Sequence, residues 1–221
     1  GNFTLQGGTI AGFHITGNGA GVRVEENGHF TMEEGGAVRD NTASDGYGGG
    51  VFTYSGEGIT LNAGEISGNT AEYGGGLAVN LMPAENPPTI GADMHFVENT
   101  AKIYGGGLYF EEADGVTLGV SADAEGPTIQ KNTAPSGGGV WFASAADASL
   151  QGFVIEENEA TTGNGGGVGS AAAMTLSISG GRISGNKANA GNGGGVCLQA
   201  YKSALNITGC EISGNEAMTY G

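Results

Sequence analysis

One element recurs along the chain at a nearly fixed interval and leaves few folds open to it. Asn with Ala two places on occurs at Asn18, Asn41, Asn69, Asn99, Asn132, Asn158, Asn186 and Asn215, at spacings of 23 to 33 residues. A glycine triplet follows six of the eight copies, ending at Gly50, Gly76, Gly107, Gly139, Gly167 and Gly195, and each triplet is followed by Val or Leu. A fixed period of this size marks a solenoid, in which each repeat buries its apolar face only against its neighbours. Between the triplets the pattern alternates with period two, as in Leu176-Ser177-Ile178-Ser179 and Leu205-Asn206-Ile207-Thr208, which is the signature of strands. The connections are too short to hold the helix of a βαβ crossover, and parallel crossovers are right-handed in nearly all cases. The expected fold is therefore all-β: a right-handed parallel β-helix of about eight coils with three short strands per coil. Residues 1–221 form a single segment, and the chain opens and closes in mid-coil, which points to part of a longer repeat protein.

Composition agrees. The 47 glycines carry no Gly-X-Y period, so they serve turns rather than a collagen helix, and evenly spread aliphatic residues argue against a disordered linker. A net charge of −16 opposes nucleic acid and anionic lipid, both of which need cationic surface. No apolar run approaches the roughly 20 residues that span a bilayer, so no membrane insertion of this segment is expected. Two cysteines are too few for a disulfide scaffold.

Each repeat position has a physical reading. The residue three places before Asn (Ile15, Val38, Ile66, Phe96, Ile129, Ile155, Ile183, Ile212) and the Val or Leu after the glycines are expected to face an aliphatic core whose burial is the main stabilising term. The Asn-plus-two alanines should also face inward at a tight corner. The Asn column, in particular Asn41, Asn69, Asn99, Asn132, Asn158, Asn186 and Asn215, reads as a hydrogen-bonded ladder, with Asn itself suited to a left-handed corner. Cys197 falls in an outward column and Cys210 in an inward one, so a bond between them is not expected.

Phe96-Val97-Glu98-Asn99-Thr100-Ala101 followed by Gly105-Gly106-Gly107-Leu108 resembles the paired Phe-x-x-Asn and Gly-Gly-Ala-Ile/Leu/Val motifs of chlamydial polymorphic outer membrane proteins. The likeness covers nearly the whole chain, with Ile or Val replacing Phe in most copies and Gly replacing the Ala. It implies a β-helical, surface-exposed adhesin passenger; the C-terminal autotransporter barrel of that family has no counterpart in these residues.

Three groups of residues could carry function. The position before Asn reads Asp40, Gly68, Glu98, Lys131, Glu157, Gly185 and Gly214. Glu98 and Glu157 would stand roughly 10 Å apart, two strand spacings, near the upper end of an inverting-glycosidase separation; a surface charge ladder with Lys131 is the simpler reading. The second residue after each triplet reads Phe52, Ala78, Tyr109, Trp141, Gly169 and Cys197, which by alternation points outward. Phe52, Tyr109 and Trp141 would then form an aromatic stripe able to bind sugar faces or a partner protein, unless the long insertions Asn80–Ala92 and Glu111–Pro127 fold back over it. His14, His29 and His95 fall at different phases and are expected to be solvated. No calcium-binding repeat recurs beyond a partial match at Asp45-Gly46-Tyr47-Gly48, and no cofactor or metal is expected. The expected role is a non-catalytic, extracellular or cell-surface adhesin segment binding a glycan or a surface protein. The alternatives are a polysaccharide lyase or glycosidase fragment, and a passive stalk. End-to-end self-association is a further expectation.

Overall fold

The computed structural model describes residues 1–25, 27–54, 58–81, 87–112, 114–121 and 126–221 and shows a right-handed parallel β-helix of about seven turns. The strands form four sheets of ten, eight, seven and four strands. The ten-stranded sheet carries the Ile column, the eight-stranded sheet follows the Asn corner, and the seven-stranded sheet follows the glycines; they are called first, second and third below. In the later coils the strand leading to the Ile column is separate, as in Asp147–Gln151, Thr175–Ser179 and Ala204–Thr208, and these pair into the fourth sheet. Gly152, Gly180 and Gly181, at φ of 69°, 64° and 65°, break that segment from the Ile strand. In the earlier coils the two run together as the nine-residue strands Ile59–Ser67 and Thr89–Val97.

Two expectations are corrected. A short strand that was not expected follows each Asn, Thr70–Tyr73, Thr100–Tyr104 and Thr133–Ala134 being examples, so the coils with a nine-residue strand hold three strands and those in which that segment is divided hold four. There are about seven turns rather than eight, because the Asn18 copy does not belong to the Asn column. Ile10 pairs with Val38, while Ile15 pairs with Ala43; by the same register Phe13 stands where Asn is found in the other coils. Asn18-Gly19-Ala20 lies further along the same coil, at the glycine corner, where Gly19 N–H donates to the carbonyl of Tyr47 one coil on, as the first triplet glycines Gly48 and Gly74 donate to Tyr73 and Tyr104.

From the second coil on the core columns are where the periodicity placed them, whereas Ile15, expected in the core, is 39% exposed and Ile10 takes its place in the column. Val38, Ile66, Phe96, Ile129, Ile155 and Ile183 are buried, as are Val51, Leu77, Leu108, Val140 and Val168. Phe110 and Phe142 stack at 5.5 Å between ring centroids inside the same core. The alanines from Ala43 to Ala188 are buried at the corner after Asn. The two terminal coils leave apolar side chains open, Phe3 and Phe13 at one end and Leu205, Ile207 and Ile212 at the other.

Beside this core runs an unbroken ladder of seven asparagines. In every step the Oδ1 of one Asn accepts both the backbone N–H and the Nδ2 of the Asn one coil earlier, from Asn41 on Asn69 to Asn186 on Asn215, at 2.9–3.0 Å. The Nδ2 also donates back to the carbonyl of the preceding coil's core residue, as Asn132 does to Phe96 at 2.9 Å. Side chains buried in this way must have such partners, and here every step supplies them.

The left-handed corner residue is not the Asn but the one before it. Asp40, Gly68, Glu98, Lys131, Glu157, Gly185 and Gly214 all have φ between 54° and 63°. A Cβ in this conformation is strained by roughly 1–2 kcal/mol, partly offset by the greater unfolded-state freedom of glycine. Glu98→Gly is therefore expected to stabilise the fold by about 0.5–1 kcal/mol; denaturant unfolding checks it, and a loss of stability would show that Glu98 makes a contact worth more than its strain.

At the opposite corner the first triplet glycine turns the chain, Gly105 having φ of 68°. The next two bring coils together: a Cβ on Gly106 would stand 2.4 Å from the carbonyl oxygen of Gly138. Cys197 and Cys210 are free.

Candidate functional site

The outer face of the third sheet, with the ends of the second-sheet segments that lead to it, gathers six aromatic side chains, Tyr47, Phe52, Tyr73, Tyr104, Tyr109 and Trp141. Backbone hydrogen bonds one coil apart put Asn18, Tyr47, Tyr73, Tyr104, Ser136, Asn164, Asn192 and Tyr220 in one column, immediately before the glycines. Strand register puts Arg23, Phe52, Ala78, Tyr109, Trp141, Gly169 and Cys197 in a second column, two places after the glycines. Side chains of the two columns lean together over the Gly corner. Phe52, Ala78, Tyr109 and Trp141 form an apolar cluster separate from the coil core, with Tyr47, Tyr73 and Tyr104 packed on it.

Phe52, Tyr109 and Trp141 leave the outer side of the sheet, as alternation predicts, and of the two alternatives, an open stripe or a covered one, the structure has the covered one: they are only 3%, 3% and 2% exposed. Neighbouring tyrosines cover them. Tyr104 stacks on Trp141 at 4.5 Å and 4° between planes, Tyr73 lies 5.3 Å from Tyr109, and Tyr47 lies 6.1 Å from Phe52 and 4.7 Å from Tyr73. The indole also leans over Gly169, where a Cβ would stand 2.7 Å from the ring. What faces solvent is a ridge of half-buried rings, Tyr47, Tyr73 and Tyr104, on successive coils. Parts of the two long insertions lie outside the described residues.

At one end the ridge meets a pocket of about 370 Å³ lined by Asn18, Arg23, Glu25, Phe52, Tyr54 and Asn80. Tyr54 is 45% exposed there; Arg23 and Glu25 pair at 2.8 Å. An open aromatic face beside amide, guanidinium and carboxylate groups is the composition of a site for a polar, ring-bearing ligand. Asn18, displaced from the ladder, holds this corner by accepting the Tyr47 N–H at 3.0 Å.

Glu111 directly follows the strand Leu108–Phe110, and its N–H donates to the carbonyl of Val79. Its Oε2 is buried and takes no hydrogen bond from any described residue. Burial, then the neighbouring Glu112, pushes its carboxyl above the usual range. Burial likewise raises the Tyr47 and Tyr109 hydroxyls, with Glu111 the next cause for both.

Glu98 and Glu157 sit at exposed left-handed corners, Glu157 3.9 Å from Lys131 and 3.2 Å from Gln130 Nε2. Neither lines the first-sheet cleft, the pocket at the end of the ridge or the hollow at the last coil. A different set of carboxylates does. On the first sheet a cleft of about 660 Å³ is floored by Gly36, Ala37, Ala63 and Gly64 and walled by Glu34, Arg39, Glu65, Asp93 and His95. Glu65 and His95 are direct cross-strand neighbours. His29 pairs instead with the Thr60 hydroxyl at 3.0 Å, and His14 stands exposed on the second sheet. No cluster of His, Cys, Asp or Glu among the described residues is placed to hold a metal ion.

The tyrosine ridge and Glu111 escaped the sequence reading. The signal for the ridge was present, since Tyr47-Gly48, Tyr73-Gly74 and Tyr104-Gly105 share one phase of the repeat. Comparison with protein-family models, curated proteins and solved structures gave no match.

Proposed function

We propose that the chain is a non-catalytic, extracellular or cell-surface β-helix segment that binds a glycan or a surface protein through the outer face of its third sheet. The observation that carries this reading is the aromatic block of Phe52, Tyr109 and Trp141 with the half-buried Tyr47, Tyr73 and Tyr104 packed on it. A stalk needs no such block, because the aliphatic columns and the Asn ladder already hold the coils together. Tyrosine offers a large, rigid contact area with a polar tip, which is why it favours binding surfaces. The adjoining pocket with Tyr54, Arg23, Glu25 and Asn80 suits a sugar ring or a polar side chain. The likeness of the repeat motifs to chlamydial polymorphic outer membrane proteins points the same way, toward an adhesin passenger.

The carbohydrate-active alternative rests on the first-sheet cleft with Glu65, Asp93 and His95, rather than on Glu98 and Glu157. One purified sample tests both. A glycan array, run beside a polysaccharide-degradation screen, should show saturable retention of ligand without release of sugar. Reducing ends or unsaturated products, lost on Glu65→Gln, would replace the binding reading with the enzymatic one.

A further inference from the structure

We infer that the ridge receives a cationic protein segment, a lysine or arginine side chain lying over the tyrosine rings with its head accepted by Glu111. The inference rests on the reading of this face as the binding surface and names the chemistry of its partner.

Three observations converge. Tyr47, Tyr73 and Tyr104 are each half-buried, Tyr47 and Tyr73 stacked on one another and Tyr104 stacked on Trp141 by one face, and among the described residues the one chain cation found over a ring is Lys202 over Tyr201, remote from the ridge in sequence. A cation above a tyrosine face is attracted by the ring quadrupole. Glu111, two residues beyond Tyr109, has a buried oxygen with no donor among the described residues. A desolvated carboxylate left in that state is costly; because the oxygen is closed to solvent, the side chain has to turn outward to take the charge-assisted hydrogen bond that a ligand offers. The Glu111 and Glu72 carboxylates both bear on Tyr47, and the whole chain carries a net charge of −16, so the long-range field draws cations and repels acidic glycans. Arginine fits best, because its planar guanidinium can stack on a ring while its N–H groups reach a carboxylate.

The test uses a short, acetylated, fluorescein-labelled peptide of alternating Arg and Gly, titrated by anisotropy at low ionic strength into the intact chain. The same peptide with citrulline in place of Arg keeps shape and donors but not charge. The Arg peptide should bind saturably, and the citrulline peptide roughly tenfold more weakly or worse. Glu111→Gln should weaken Arg-peptide binding about tenfold. Tyr73→Leu, which keeps apolar bulk but removes the ring, should weaken it roughly three- to fivefold, while Tyr73→Phe stays within about twofold. Glu211→Gln, on the first sheet of the last coil, should change it by less than about twofold. Thermal melts of each variant show that the fold is kept.

Equal binding of the citrulline peptide would overturn the inference and leave the face a binding surface for neutral ligands. Equal losses in Glu111→Gln and Glu211→Gln would reduce the attraction to diffuse charge and also overturn it. Absence of Arg-peptide binding overturns it too, and the glycan array then decides separately whether the face binds at all.

Discussion

Asn132→Ala is expected to destabilise the protein by about 3–5 kcal/mol, more than a typical single hydrogen bond, because the damage is to a buried network. Asn132 lies in the middle of the ladder, fully buried. Its Oδ1 accepts the Asn99 N–H at 2.9 Å and the Asn99 Nδ2 at 3.0 Å, and its Nδ2 serves Phe96 O and Asn158 Oδ1. Truncation leaves two donors of Asn99 and the Phe96 carbonyl without that partner, in a site closed to water. Neighbouring coils in a solenoid are stabilised chiefly through their shared interface, so the transition should also broaden as the two halves uncouple. Denaturant unfolding followed by circular dichroism checks this. An unchanged midpoint would mean that the ladder is a by-product of the coil geometry rather than a support for it.

Trp141→Ala is expected to cost a further class of energy, about 3–5 kcal/mol, from lost burial and a residual cavity. The indole is 2% exposed, stacked on Tyr104 and seated over Gly169. Its removal takes the support from beneath Tyr104, so any loss of ligand binding in this variant would be indirect. Thermal unfolding distinguishes the cases: a shift of only a degree or two would place the ring in solvent and return it to the role of a direct ligand contact.

What the sequence disclosed, and what it hid, follows from whether the residue type or the backbone carries the constraint. The Asn column, the core columns and the triplet glycines were legible because each position admits almost one chemistry: a buried ladder needs a side chain that both donates and accepts, and Gly106 has no space for a Cβ. The left-handed corner was invisible, since Asp40, Gly68, Glu98 and Lys131 share a backbone angle and nothing else. The first coil was misaligned because Asn18-Gly19-Ala20 imitates the motif while Phe13 takes the ladder position. The strand after Asn was missed because a segment as short as Thr133–Ala134 is too brief to show alternation. For the aromatic column, alternation settles which side of a sheet a side chain leaves from, but not what lies over it. The cover comes from tyrosines at the end of the preceding second-sheet segment, a relation set by how the Gly corner folds. Glu111 had no signal at all, because its meaning lies in an oxygen without a donor.

Trp141 is the only tryptophan in the chain and lies against Tyr104 of the ridge, so its fluorescence reports on the proposed surface alone. Titration of a ligand identified on the array, followed by Trp141 emission beside calorimetry, therefore tests the central claim most directly. The account predicts a saturable change in emission with the calorimetric affinity, both weakened by Tyr73→Leu. Calorimetric binding that leaves Trp141 emission unchanged and ignores Tyr73→Leu would place the binding surface elsewhere on the coil and contradict it.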